Sequence, residues 1–243
     1  LEQFEIIPLI GIQFGNVDLS FTNSSLLMLI SVSTFLILVR LIAFKITIIP
    51  TRWQFFVEAI FEFILTLVLD NVGNKGQKFF PFIFVLFVFI LFCNLLGMVP
   101  YSFTVTSHLI VTFCLALGVF IGVNVIMIKE HQIHAIGLFM PSGSPLLLAP
   151  MLVVIEILSY FIRVISLSVR LFANLMSGHI LLKVLLGFAW SMVSSGGILL
   201  IAHIIPLSVV FLLIGLEFGV AIIQAYVFTI LTCLYLNEAI HLH

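Results

Sequence analysis

Uncharged apolar runs long enough to cross a lipid bilayer recur along most of this 243-residue chain. Hydrophobic residues make up 63% of the chain and charged residues only 8%, too few to cover the surface of a soluble domain of this size. The runs lack the strict apolar and polar alternation that a transmembrane β-barrel requires. The sequence therefore predicts an all-α integral membrane protein with a single membrane domain.

Three of the apolar runs have the length of ordinary transmembrane helices. These predicted spans cover residues 26–45, 80–99 and 108–128. Residues 52–70 differ, because Glu58 and Glu62 lie one helical turn apart among aromatic side chains. That pattern favours an amphipathic helix lying in the membrane interface over a spanning helix.

Basic residues mark one side of the predicted membrane domain. If the three spans cross alternately and residues 52–70 stay in the interface, one side receives Lys45, Arg52, Lys75, Lys78 and Lys129. The other side receives the acidic segment 1–25 and the uncharged connection 100–107. The positive-inside rule then predicts an outward-facing N-terminus. No signal peptide is visible at Leu1, and the sequence leaves open whether a leader was removed before this residue.

Two helices in the second half of the chain are too long to stand upright in a bilayer. A continuous helix over 145–190 would measure about 69 Å and one over 198–238 about 60 Å, against a hydrocarbon core of about 30 Å. The first is therefore either broken, at Ser177–Gly178 or Gly187, or strongly tilted. Because Ser-Ser-Gly-Gly at 194–197 separates the two, we expect a tilted antiparallel hairpin that turns near Gly197.

The hairpin carries polar and ionisable side chains that are costly inside a membrane. On the first helix, spacings of seven and eighteen residues place Glu156, Arg163, Arg170 and Asn174 on one face. His179 lies about 180° from Arg170 on a straight helix and so points elsewhere. The second helix carries Glu217, Gln224, Tyr235 and Glu238.

Opposite residues of an antiparallel hairpin have residue numbers with a constant sum. A turn at Gly197 then pairs Glu156 with Glu238 on the basic side, Arg170 with Gln224 in the middle, and His179 with Glu217 toward the outer side. Because arginine keeps its proton at working pH, Arg170 can separate titratable groups but cannot relay protons. The residues thus indicate an interrupted proton route that needs a mobile carboxylate from a partner.

Other polar residues have simpler interpretations. Arg163 and Lys183 could snorkel or form structural pairs, and Glu156 with Arg163 could form one ion pair. Asn94 and Asn124 are interpreted as interhelical hydrogen-bonding residues. Packing or interfacial roles are predicted for His108, His131, His134, His203, His241 and His243. A metal site built from His131, His134, His241 and His243 is a weak alternative.

One set of motifs resembles a known family. The segment Ser168-Val-Arg170-Leu-Phe-Ala-Asn174-Leu-Met-Ser-Gly178-His179, with Ile155-Glu156 before it and Leu216-Glu217-Phe218 and Ile223-Gln224 after it, closely resembles subunit a of F-type ATP synthases. The likeness covers nearly the whole chain, including Pro100-Tyr-Ser-Phe103 and the Leu-His ending, and looks mitochondrial and fungal. His179 with Glu217 is similar to the mitochondrial arrangement, whereas bacterial relatives tend to carry the acid and the histidine in exchanged positions.

The resemblance implies the proton-conducting stator of a rotary synthase in the mitochondrial inner membrane, with its N-terminus toward the intermembrane space and its basic loops toward the matrix. Arg170 would face a ring of c subunits that brings the mobile carboxylate, with Asn174 and Gln224 as polar neighbours. His179 and Glu217 would lie on the access path for protons, and Glu156 and Glu238 on the exit path. Further partners would be the peripheral stalk, other membrane subunits and lipids, and the ATP-forming site would lie on other subunits.

Two other classes of protein fit the sequence less well. A stand-alone ion or solute transporter would usually contain inverted repeats with broken helices, which the sequence does not indicate. A haem-bearing redox subunit would need histidines facing each other on two spans, and His108 has no partner at such a position. No cofactor and no resident metal is expected, and the absence of a basic stripe argues against nucleic acid as a partner.

Overall fold

The computed structural model describes residues 5–14, 17–18, 20–43, 50–99, 102–132, 149–197 and 202–240. Within these ranges the protein is an α-helical membrane protein, as predicted. Its helices are α1 (Asn23–Ala43), α2 (Arg52–Val72), α3 (Phe80–Gly97), α4 (Leu109–His131), α5 (Ala149–Ser195) and α6 (Ile204–Ile240). Five of these described helices, all except α2, belong to segments long and apolar enough to cross a membrane.

The N-terminal segment contains the β structure of the described residues, which the sequence did not predict. Strand β1 (Pro8–Ile10) pairs with β4 (Phe21–Thr22), and β2 (Gln13–Phe14) pairs with β3 (Val17–Asp18), in both cases antiparallel. Asn23 joins this small ribbon to α1, because its backbone N–H donates to the Ile7 carbonyl at 3.2 Å and its side-chain amide donates to the Glu5 carbonyl at 3.0 Å.

Helix α2 buries one face and exposes large aromatic side chains on the other. Ile64, Leu67 and Val68 are buried, whereas Trp53 is 69% exposed. The buried residues recur at intervals of three and four, the spacing of an amphipathic helix. The position of α2 in the membrane interface stays a prediction.

Helix α6 packs against α2, α3, α4 and α5 and so lies at the centre of the bundle. Phe228 and Ala225 of α6 are fully buried. The side-chain amide of Asn94 on α3 donates to the Ala221 carbonyl of α6 at 3.2 Å, and Asn124 of α4 accepts a hydrogen bond from Tyr160 of α5 at 2.8 Å. The predicted interhelical roles of both asparagines are confirmed.

Replacing Asn94 with alanine is expected to destabilise the α3–α6 contact. The change removes a buried interhelical hydrogen bond of the kind that contributes about 0.6 kcal/mol in membrane proteins. Thermal unfolding of the detergent-solubilised protein would measure the loss. Asn71→Ala is the matched control, because the Asn71 amide donates to Leu67 within its own helix at 2.8 Å. Equal stability of the two variants would contradict the expectation.

Helix α5 is continuous through Ser177, Gly178 and Gly187, so the alternative of a broken helix is wrong over the described residues. Its 47 residues correspond to about 70 Å, which a hydrocarbon core of about 30 Å can hold only if the helix is tilted or curved. Gly196 and Gly197 end it with φ values of 68° and 65°, the left-handed region in which glycine is strongly favoured. Residues 145–148 and 198–201 of the predicted hairpin lie outside the described ranges.

Candidate functional site

The face of α5 that packs against the bundle is mostly apolar, and the charged and amide side chains lie along its edges. Val164, Leu167, Leu171 and Leu175 are each no more than 7% exposed. At 100° per residue, the stripe of Arg163, Arg170 and Asn174 borders this buried face on one edge, and His179 borders it on the other. Both edges reach α6, because the buried face between them is narrow.

An acid and a histidine meet at one end of the hairpin. His179 Nε2 lies 3.6 Å from Glu217 Oε1, and the two side chains are 12% and 7% exposed. That separation exceeds the usual length of an N–H···O hydrogen bond and is a close electrostatic contact. The predicted proximity of His179 and Glu217 is therefore present in the structure.

Gly178 makes room for the Glu217 carboxylate. A Cβ atom built on Gly178 would lie 2.8 Å from Glu217 Oε1 and 3.0 Å from its carboxyl carbon. The sequence suggested Gly178 as a helix break, but the residue instead allows the backbone of α5 to approach the acid closely.

A groove of about 350 Å³ opens beside Glu217. Its polar lining comes from Glu217, Ser177 and Asn174, and leucines of α5 and α6 supply most of the rest. Because one water needs only about 10–15 Å³ of such a space, the groove has room for several water molecules. It extends from Glu217 to Asn174, near the middle of α5.

The middle of the hairpin holds an amide pair beside a cation. The Asn174 side-chain amide donates to Gln224 Oε1 at 2.9 Å, and Gln224 is buried. Arg170 is exposed on the surface of the bundle and forms no ion pair with any other described residue. The predicted pairing of Arg170 with Gln224 is wrong by one helical turn, because Asn174 takes that place.

An ion pair lies toward the C-terminal end of α6. Arg163 donates a hydrogen bond to Glu238 Oε2 and its guanidinium lies 5.6 Å from the centre of the Tyr235 ring. Glu156 is half-buried on α5 and forms no ion pair within the described ranges. Because Glu238 contacts Arg163, two turns along α5 from Glu156, the predicted pairing of Glu156 with Glu238 is wrong. Of the interpretations left open for Arg163, the structure favours a pair with α6.

The two errors have a common physical cause. From the His179–Glu217 contact to the Arg163–Glu238 contact, α6 advances 21 residues while α5 advances only 16. At 1.5 Å per residue these are about 32 Å and 24 Å. The constant-sum rule holds only for straight helices that lie strictly antiparallel with side chains of equal reach, and these two do not.

Two residues that the sequence did not single out as part of the site, Tyr160 and Asn124, join it near the Arg163–Glu238 ion pair. Tyr160 donates its hydroxyl hydrogen to Asn124 Oδ1 at 2.8 Å. Tyr160 also lines a cavity together with Arg163, Tyr235 and Glu238. The sequence contained one indication for Tyr160, since it lies one helical turn after Glu156. Its partner Asn124 could be identified only from the packing of α4 against α5.

The remaining histidines give no sign of a metal centre within the described residues. No group of three or more metal-ligating side chains is found there. His131 Nε2 lies 3.1 Å from the Ile240 carbonyl, and His108 stacks on Phe103 at 4.9 Å between ring centres. Burial lowers the pKa of His108, which favours its neutral form. Positions 134, 241 and 243 of the alternative metal site lie outside the described ranges.

These features define a class of protein. Ionisable side chains placed in this way on membrane-spanning helices are typical of membrane proteins that contain an ion pathway. The sequence agrees, since residues 25–237 match the family described as ATP synthase A chain. The protein belongs to the ATP synthase A chain family, and the resemblance seen in its motifs is confirmed.

Relatives from distant organisms align over the full chain. ATP synthase subunit a of Marchantia polymorpha is 53% identical, with 100% of this chain and 98% of the relative covered. The Chondrus crispus protein of the same name is 50% identical, with coverage of 100% and 96%. The Paramagnetospirillum magneticum protein is 49% identical, with coverage of 100% and 98%. The similarity extends to a bacterium, and the fungal origin suggested by the motifs stays a prediction.

Proposed function

We propose that the protein conducts protons through two offset half-channels that meet the c-subunit ring on either side of Arg170. Membership of the ATP synthase A chain family makes it the proton-channel subunit of an F-type ATP synthase. What we propose beyond this is that the chain contains two half-channels, that individual residues have the roles given below, and that the ring is a direct partner. Proton flow through them would drive rotation of the ring and thereby ATP synthesis on other subunits.

The exposure of Arg170 is the observation that carries the proposal. An unpaired cation near the middle of a membrane-spanning helix costs about 2.5–3.5 kcal/mol even on lenient insertion scales, so it needs a wet cavity or a partner. Arg170 has no ion-pair partner among the described residues and faces out of the bundle. An acidic residue on an adjoining subunit would satisfy it.

The access half-channel is assigned to the groove beside Glu217. Water in this groove would connect His179 and Glu217 to the amide pair of Asn174 and Gln224, which lies one turn from Arg170. Glu217 and His179 can both exchange protons, whereas the amides can orient water without carrying charge.

The exit half-channel is assigned to the other end of the hairpin. Glu156 and Glu238 supply its carboxylates, and Arg163 holds Glu238 in place. Since Arg170 keeps its proton, a proton cannot cross from Glu217 to these acids along this chain. It would instead be carried around on a carboxyl group of the ring.

We further propose a mitochondrial inner membrane location with the N-terminus toward the intermembrane space. The bases at Lys75, Lys78 and Lys129 support this orientation by the positive-inside rule. The peripheral stalk, other membrane subunits and lipids are the remaining proposed partners. The runner-up function, a stand-alone transporter, predicts transport by the isolated chain in liposomes, whereas the present proposal predicts proton-driven work only in the complex.

Sided labelling of introduced cysteines tests the two half-channels. In a background that lacks Cys93, Cys114 and Cys233, Ser177→Cys places a thiol on the access groove and Ser159→Cys places one near Glu156. A membrane-impermeant thiol reagent is expected to label position 177 from the outer side only and position 159 from the inner side only. Mass spectrometry of the complex measures the labelled fraction.

Ser33→Cys is the matched control, because Ser33 is exposed in the middle of α1 and lies away from the hairpin. A thiol there should contact lipid and react slowly from both sides. Labelling of positions 177 and 159 from the same side would contradict offset half-channels. Labelling of neither above the Ser33→Cys control would contradict water-filled paths.

A further inference from the structure

A small cavity lies among α4, α5 and α6, beside the Arg163–Glu238 ion pair. Its volume is about 20 Å³, and its polar lining consists of Tyr160 and Arg163 from α5 and Tyr235 and Glu238 from α6. A buried site needs about 10–15 Å³ and two to four polar partners to hold a water molecule. The cavity therefore has the size and the polarity for one water.

The Tyr160 hydroxyl is fixed in one orientation by α4. It donates its hydrogen to Asn124 Oδ1 at 2.8 Å, and Asn124 Nδ2 donates to the Phe120 carbonyl at 2.9 Å. The Tyr160 ring also packs against the Phe120 ring, with 4.9 Å between ring centres. Because the hydroxyl hydrogen is used, the Tyr160 oxygen can only accept a further hydrogen bond.

The other side of the cavity offers both a donor and an acceptor. Arg163 donates to Glu238 Oε2, which leaves Glu238 Oε1 able to accept from water. Arg163 has five N–H donors in all, so a second one can donate to the same water. A single water can thus donate to the Tyr160 oxygen and to Glu238 Oε1 while it accepts from Arg163.

We propose that this cavity holds one ordered water and that Tyr160, oriented by Asn124, is a positioning residue that keeps the water against the Glu238 carboxylate. The proposal rests on the proposed exit half-channel. In the transfer, the water gives one proton to Glu238 Oε1 and takes one from a carboxyl group of the ring. One O–H bond forms on Glu238 as one breaks on the donor, and the water is restored. Asn124 thereby makes α4 part of the exit path.

Removal of the Tyr160 hydroxyl alone tests the proposal in the assembled synthase. Tyr160→Phe keeps the ring and its packing but loses the acceptor for the water, so the water is held by one hydrogen bond fewer. Passive proton flux per assembled complex, measured in liposomes, is expected to fall about fivefold, the effect of one hydrogen bond of about 1 kcal/mol. The ratio of the fluxes in H₂O and D₂O is expected to rise, because proton transfer then limits the rate.

Tyr226→Phe is the matched control, since Tyr226 is a tyrosine of α6 that packs against Phe63 and does not line the cavity. It should leave both readouts unchanged. Asn124→Leu should reproduce the Tyr160→Phe effect, and the double variant should be no slower than either single one, because Asn124 acts through Tyr160. A merely structural role would lower the amount of complex but would not change the isotope ratio per complex.

Several outcomes would overturn the proposal. They are an unchanged flux and isotope ratio in Tyr160→Phe, or additive losses in the double variant. Proton-driven ATP synthesis by Arg170→Ala separates this failure from failure of the proposed function. If Arg170→Ala is inactive while Tyr160→Phe is normal, only the positioned water is wrong; normal synthesis by Arg170→Ala would contradict the half-channel mechanism itself.

Discussion

Arg170→Ala is expected to abolish proton-driven ATP synthesis while the complex still assembles. The side chain is exposed and makes no ion pair with any described residue, so its removal disturbs little of the packing of this chain. Its loss removes the fixed cation between the half-channels and the proposed electrostatic partner of the ring carboxylate. The measurement is the rate of ATP synthesis by purified complexes in liposomes under an imposed proton gradient, with assembly followed by native gel electrophoresis.

Two further variants make the result specific. Arg52→Ala removes an exposed arginine from α2 and should leave synthesis unchanged. Arg170→Lys keeps one positive charge but loses the planar group with five donors, and we expect it to restore little activity because the two cations are not interchangeable at such a site. Coupled synthesis at the unmutated rate in Arg170→Ala would refute the proposed mechanism.

Glu217→Gln is expected to reduce proton-driven synthesis about a hundredfold, the lower end of what a positioned proton-transfer group contributes. Glutamine matches the shape of the acid, so the contact with Gly178 and the walls of the groove are kept while the exchangeable proton is lost. The rate under a fixed proton gradient measures the effect. Glu62→Gln, an exposed acid of α2, is the control and should be neutral.

Gly178→Val tests the same site without altering any titratable group. The added side chain would occupy the space of the Glu217 carboxylate, which lies 2.8 Å from where a Cβ would stand. The acid must then turn away from His179, and synthesis should fall strongly. Gly187→Val is the matched control on the same helix, because nothing lies within 4 Å of a Cβ at that position. Equal activities of the two glycine variants would count against a required Glu217 geometry.

Local pattern was sufficient to predict several parts of the site. The spacing of Arg163, Arg170 and Asn174 predicts a shared face from helix geometry alone, and the unbroken course of α5 keeps that geometry. The nearness of His179 to Glu217 also followed, because both residues lie close to the turn in sequence and a small error in register accumulates little there. The error grew with distance from the turn, to one helical turn at Asn174 and about two at Arg163.

The sequence by itself determined the membrane class, the helices and the family, because hydrophobicity, helical period and a compact motif are properties of consecutive residues. Only the tertiary structure decided which side chains meet across helices. In the structure Glu238 pairs with Arg163 and does not lie opposite Glu156. The Gly178 backbone lies against the Glu217 carboxylate, and Asn124 of α4 contacts Tyr160. Such contacts depend on the relative course of two long helices and on side-chain reach, and neither quantity is encoded in the spacing of residues along one helix.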